Sequence, residues 1–284
     1  MTATPRITSS LLTATLFLAL LVLTPASQAL AVSTLMVNPI RVVFEDRQRS
    51  ATVSLANTDP EPVTYRISLV TMRRDAEGTL REVTEESDTE KLTKSLIRFS
   101  PRKATIEPHS RQIVKLMVRK PSGLPAGEYQ TRLKFLPVHD ENRAKKSDDS
   151  QGPRVKVDLI VAVTIPVIVQ HGDLNVQVEP KSFALMPLSQ APSGLAARIN
   201  LSRSGDCSAF GDVVVKYLEG GGKARMVGKA QSMGFYFPET SRDLILPLEG
   251  ISDDQQKGGR YRVEFHPSTQ KKGSSAVTSK EFNL

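Results

Sequence analysis

The stretch PRVKVDLIVAVTIPVIVQ, Pro153 to Gln170, constrains the fold more than any other part of the chain. Val155, Val157, Leu159, Val161, Val163, Ile165, Val167 and Val169 are apolar at every second position, with Lys156, Asp158 and Thr164 between them. Strict alternation rich in Val and Ile predicts a β-strand with one buried face, because successive side chains of a strand point to opposite sides. The run is long for such a strand: most strands have about 3–10 residues. At roughly 3.3 Å per residue, Val155 to Gln170 spans on the order of 50 Å. Either the strand bends, or part of its apolar row faces something outside its own domain.

The N-terminus is expected to lie outside the fold. Arg6 precedes LLTATLFLALLVL (Leu11 to Leu23), and small residues ending in ALA (Ala29 to Ala31) follow. A basic start, a short apolar core and a small-residue cleavage site describe a secretory signal. The cut is placed after Ala31, with Ala29 as second choice. A retained anchor is the alternative, but the apolar run is shorter than the roughly 20 residues that span a bilayer. The mature chain is therefore expected to be exported and soluble. Its single cysteine, Cys207, rules out an intramolecular disulfide, so each domain must rely on its hydrophobic core. The formal net charge of +8 is spread along the chain and only 5% of residues are aromatic, with no Trp. Nucleic acid is therefore not expected as a partner, and acidic protein surfaces are.

Short alternating runs recur before the long one: ATVSLAN, VTYRISLVTM, RQIVKLMVRK and YQTRLKFLPV, punctuated by Gly, Pro, Asn and Asp. This spacing predicts a β-sandwich. GTLREVTEESDTEKLTKSLIRF reads as a ragged strand and loop, and helical signals are nearly absent. After HGDL a second β-rich region runs through LAARINLSRSG, GDVVVKYLEGGGKARMVGKAQ, RDLILPL and RYRVEFHP. The expected organisation is a signal peptide at 1–31, one domain at 32–170 and a second at 171–284. His139 to Pro153 is expected to be a mobile charged loop, and QKKGSSAVTSK a hairpin tip. The Gly triplet before Lys223 lies between apparent strands, which suits a hairpin loop and not a phosphate cradle. L-x-x-G-x-Y at Leu124 to Tyr129 matches the tyrosine corner of immunoglobulin-like sandwiches.

His109, His139, His171 and His266 show no ligand spacing with Cys or with carboxylates, and no nucleophile motif is present. No cofactor, metal or catalytic residue is expected.

Four segments carry a resemblance: NPIRVVFEDRQRSATVSLANTD, ATIEPHSRQIVKLMV, LPAGEYQTRLKFLPV and VAVTIPVIVQHG. With the export signal and the long strand, the chain resembles PapD-like periplasmic chaperones of the chaperone–usher pilus pathway. RSGDCSAFGDVVVKY resembles their divergent alternate or archaic branch. The resemblance implies an all-β protein of two immunoglobulin-like sandwiches in tandem, boomerang-like with an interdomain cleft. It implies a chaperone that stabilises pilus or fimbrial subunits by donating a strand and delivers them to an outer-membrane usher. Val155, Val157, Leu159 and Val161 would be the donated residues. Arg41 would bind the subunit's terminal carboxylate. The family's partner lysine falls at Pro166 and its usual closing Arg at Gln170, and His109 stands where Gly is usual. Arg132 and Lys134 are candidates for the missing charge. An exported structural or adhesive surface protein is the alternative.

Overall fold

The computed structural model describes residues 35–45, 47–74, 79–138, 160–219, 223–256, 258–268 and 277–284. The expected signal peptide, the charged loop from His139 to Pro153, the hairpin tip before Val277, and Val155, Val157 and Leu159 lie outside the described residues.

The first half of the chain forms β1 (Leu35–Asn38), β2 (Val42–Phe44), β3 (Ser50–Asn57), β4 (Val63–Val70), β5 (Met72–Arg74) and β6 (Leu80–Glu82). Helix α1 (Asp88–Leu96) follows, then β7 (Ile97–Ser100), β8 (Lys103–Ile106), β9 (Arg111–Val118), β10 (Gly127–Pro137) and β11 (Val163–His171). One sheet has the order β1-β3-β9-β7 and the other β2-β11-β10-β4-β8. This is the immunoglobulin arrangement, in which the first, second and fifth main strands share a sheet opposite the third, sixth and seventh. Apolar residues alternate inward on both sheets. Along β10, Tyr129, Thr131, Leu133 and Phe135 are buried, while Gln130, Arg132 and Lys134 are only partly so. Phe44, Val53, Leu55, Leu116, Leu133, Phe135, Val167 and Val169 meet in the core between the sheets.

Local signals in the sequence become contacts here. The Tyr129 hydroxyl donates to the Pro125 carbonyl at 2.8 Å, the tyrosine corner expected from L-x-x-G-x-Y. Asn57, buried at the end of β3, donates through its amide to the Glu61 and Ile106 carbonyls at 2.8 and 2.9 Å. His109 has φ +53°, the left-handed conformation that glycine adopts most readily and that costs other residues strain. The turn therefore keeps a glycine-like backbone despite its imidazole.

The second half forms β12 (Val176–Pro187), β13 (Leu195–Gly205), β14 (Ala209–Leu218), β15 (Ala224–Phe235), β16 (Ser241–Pro247), helix α2 (Asp253–Gln256), β17 (Arg260–Pro267) and β18 (Thr278–Asn283). Its sheets are β12-β13-β16 and β15-β14-β17-β18. Between them lies a separate core that includes Ile199, Leu201, Val213, Val215, Phe235, Tyr261 and Val263. β14 pairs with its antiparallel neighbour β15, and the Gly triplet between them lies outside the described residues. Gly172 links the halves at φ +82°, and a Cβ there would come within 2.6 Å of the Ala126 Cβ.

Two expectations need correction. The segment read as ragged strand and loop contains α1, capped by a reciprocal pair in which Ser87 Oγ accepts from the Glu90 N–H and the Glu90 carboxylate accepts from the Ser87 N–H. Leu96 and Thr93 give it a buried face. Among the described residues, the long strand also starts at Val163, later than the alternation through Val161 predicts. Ile160, Val161 and Ala162 carry no strand pairing, and the ladder with β10 begins at Val163, opposite Phe135. Alternation records which way side chains point, whereas a strand also needs a backbone partner. At this end β10 closes on Pro137, which has no N–H to donate.

Candidate functional site

β11 is covered unevenly. On one side β10 pairs with it from Val163 to His171. On the other side β2 runs parallel to it and reaches only Val167, Ile168 and Val169. The edge from Val163 to Pro166 has no neighbouring strand among the described residues. Just before it, Ile160 and Val161 are 50% and 47% exposed. Val161 has the parity of Ile165, Val167 and Val169, which enter the core. The apolar row therefore continues beyond the core that it serves.

The opposite face of the sheet carries the charges. Pro166 pairs with Arg132 across β10 and β11. Val42 pairs with Val167, so Arg41 falls one step before it, beside Pro166 on the other flank. Val42 points into the core, and the alternation turns Arg41 outward. Arg41 and Arg132 thus flank Pro166 on one face of the sheet. That face meets the second sandwich.

Arg41 Nη2 donates to the Ser232 carbonyl at 2.7 Å, and its guanidinium lies 4.6 Å from the centroid of the Phe210 ring. Phe210 packs edge-on against Tyr236 at 5.7 Å. Arg132 Nε donates to Thr164 Oγ1 at 3.3 Å. Burial pushes the Arg132 guanidinium down from its ordinary value; Tyr236 acts the other way, and the nearby charge of Arg74 reinforces the fall. Among the described residues, no carboxylate forms an ion pair with Arg41 or Arg132. Lys134 is different, since its ammonium meets Glu82 at 2.6 Å. Of the three basic candidates, Arg41 and Arg132 are brought together and Lys134 is committed elsewhere.

Sequence reasoning missed the polar clamp beside this face. The Glu128 carboxylate accepts from the Ser208 N–H at 2.8 Å and the Ser208 hydroxyl at 2.5 Å. It also accepts from the Gln170 amide at 2.9 Å and the Gln130 amide at 2.6 Å. Gln130 reaches across to the Phe237 carbonyl at 2.8 Å, and the Phe237 N–H donates to Ser208 Oγ at 2.9 Å. Arg203, buried behind these loops, donates to the carbonyls of Glu239, Gly205 and Cys207. Gln170 thus has a role where the resemblance expects an arginine: a neutral donor suits a carboxylate that serine already serves. No local pattern in the sequence marks this set, because Gln170 and Ser208 lie 42 and 80 residues from Glu128, and Phe237 lies 107 from Gln130.

Among the described residues, no three of His, Cys, Asp and Glu come together to hold a metal, and no helix is long and apolar enough to cross a membrane. No protein-family model and no curated protein matches the chain. Solved structures do. A class 5 fimbriae chaperone, CfaA, is 14% identical and aligns over 87% of this chain and 98% of its own, with a TM-score of 0.43. The CsuC–CsuE chaperone–tip adhesion subunit complex of Acinetobacter baumannii is 14% identical over 88% of this chain and 98% of that one, with a TM-score of 0.39. The complex of SafA pilin with the SafB chaperone of Salmonella enterica is 11% identical over 90% and 99%, with a TM-score of 0.41. The chain is thus similar to solved structures of a fimbrial chaperone and of chaperone–subunit complexes.

Proposed function

We propose that this protein is a periplasmic chaperone that binds pilus or fimbrial subunits by lending them the apolar segment that leads into β11, and that it delivers them to an outer-membrane usher. The observation that carries the reading is the uneven cover of β11: an open edge from Val163 to Pro166, preceded by exposed Ile160 and Val161. Strand addition is a known mode of recognition, in which backbone hydrogen bonds give affinity and alternate side chains fill pockets. Val155, Val157, Leu159 and Val161 are the proposed donated residues. Burying each in a subunit groove contributes roughly 1.5–3 kcal/mol before ordering costs.

The reading includes a signal peptide at 1–31, a donor domain at 32–170 and a second domain at 171–284, with export to the periplasm of a Gram-negative cell. It asks for no cofactor and no bond-breaking step. Arg41 and Arg132, flanking Pro166, are the proposed anchor for the subunit's terminal carboxylate. Paired N–H groups of a guanidinium match the two carboxylate oxygens. Arg132 supplies the charge that Pro166 cannot.

The test is capture. The mature chain is expressed with the products of neighbouring genes, and the co-purifying proteins are identified. Val157→Ser with Leu159→Ser is expected to leave the circular dichroism unchanged and to abolish capture of a subunit. Undiminished co-purification by this variant would remove these positions from the donated strand. Capture of no subunit by the wild-type chain would favour the surface-protein alternative.

A further inference from the structure

The seat that holds Arg41 belongs to the other sandwich, and it is an unusual piece of backbone. Between Gly211/Val213 on β14 and Met233/Ala230 on β15 the register slips, so Gln231 and Ser232 stand opposite Asp212 alone. Such a bulge bends one strand and re-aims its groups. Ser232 has φ +53°, a conformation that serine rarely adopts. Its N–H donates to Asp212 Oδ1 at 2.9 Å, and its carbonyl accepts from Arg41 at 2.7 Å. Asp212 is itself paired with Lys229 at 2.9 Å. The Ser232 N–H, and then Lys229, hold its carboxyl below the ordinary range. Asp212 therefore fixes the bulge while its charge is matched by Lys229. Phe210, braced by Tyr236, supplies the floor under the guanidinium.

Among the described residues, both partners of Arg41 are neutral. A carbonyl takes one N–H and a ring takes the flat face, which leaves further N–H donors of the five that a guanidinium carries. An acidic partner would have cancelled the charge, and solvent alone would have left a long side chain to be ordered on binding. We infer that Phe210 and the Ser232 carbonyl seat Arg41 as a pre-positioned anion-binding group, so that the second sandwich sets the affinity of the first for a peptide's terminal carboxylate. This rests on the carboxylate-anchor reading above and adds Phe210 and Ser232 as positioning residues.

The probe is an acetylated seven-residue peptide of alternating Val and Thr carrying a fluorophore, made as the free acid and as the C-terminal amide. Anisotropy at low salt is expected to show that the wild-type chain prefers the acid. Phe210→Leu keeps apolar volume but removes the ring face. It is expected to weaken acid binding about fivefold and to leave amide binding unchanged. Phe210→Tyr, which restores the ring, is expected to bind like wild type. Wild-type acid affinity in Phe210→Leu would overturn the seat while leaving the anchor reading intact. If the wild-type chain does not distinguish acid from amide, the anchor reading fails instead. The seat is then judged by the Tm of Arg41→Ala, Phe210→Leu and the double variant: non-additive shifts support it and additive shifts overturn it.

Discussion

Beside α1, cations meet carboxylates. Arg73 donates to Glu90 at 2.5 and 2.9 Å, Lys94 reaches Glu86 at 2.7 Å, and Lys134 reaches Glu82 at 2.6 Å. Where the two sandwiches meet, four charged groups rest on neutral partners. Arg41 lies on a carbonyl and a ring, Arg132 on a hydroxyl, Arg203 on three carbonyls, and Glu128 on serine and glutamine. Both regions surround β10, whose outward residues Glu128, Gln130, Arg132 and Lys134 pass from one to the other within seven positions. A paired charge has its electrostatic work done within the fold. A charge held by dipoles is oriented but still has most of its attraction for an ion to offer. Within the second group, Arg203 is buried and Glu128 is filled by four donors, which leaves Arg41 and Arg132 as the charges proposed to serve a ligand.

The largest effects should come from breaking the junction. Arg132→Ala and Arg41→Ala are each expected to cost subunit binding about 2–5 kcal/mol, the usual loss on truncating one partner of a desolvated charge pair. Circular dichroism should stay native, and the loss should be greater at low salt, where attraction is less screened. Two variants that capture subunits like wild type at both salt concentrations would erase the distinction drawn between the regions.

The paired region should instead respond in stability. Ser87→Ala removes the cap of α1 and is expected to cost about 1 kcal/mol in urea unfolding, with subunit capture unaffected. A smaller effect follows from pH. The Arg73 guanidinium, helped by the Ser87 N–H, lowers the Glu90 carboxyl from 4.5 to about 2. A carboxyl depressed on folding stabilises the native state above its unfolded pKa, and that contribution fades as pH falls through the folded one. Stability is therefore expected to decline between about pH 4.5 and pH 2, and Glu90→Gln should flatten that part of the titration. A variant that keeps the full wild-type slope would put the acid sensitivity elsewhere. The smallest effect is expected for Lys134→Ala: about 0–1 kcal/mol of stability, as for exposed pairs generally, and no change in subunit binding at either salt concentration. A loss of capture there would return Lys134 to the anchor.

What was legible in the sequence follows the range of the interactions. Alternation revealed the strands because it records burial residue by residue, and Tyr129 was readable because its partner, Pro125, is four residues away. The Ser87/Glu90 capping box was equally local and announced α1, but its signal sat among eight charged residues that read as solvated loop. Ile160 to Ala162 carry the alternation without a strand because side-chain parity says nothing about whether a backbone partner exists. Arg41 and Arg132, the proposed anchor, could be named from pattern and resemblance. Their setting could not: Phe210, Ser232 and Tyr236 reach them from the other half of the chain, through a bulge that leaves no mark in hydrophobic spacing.

Pro166 stands between the two guanidiniums of the proposed anchor. It also bears on what the open edge refuses. An uncovered strand edge is a template for any extended chain, including another copy of the same protein, and natural sheets blunt such edges with proline or charge. A strand lying along this edge finds no donor at Pro166, and beside it stand two guanidiniums that would face their own counterparts in a symmetric pairing of two copies. Like charges brought together repel. Proline at this position and the two guanidiniums beside it thus both disfavour self-association, keeping the edge open for a partner that carries the opposite charge.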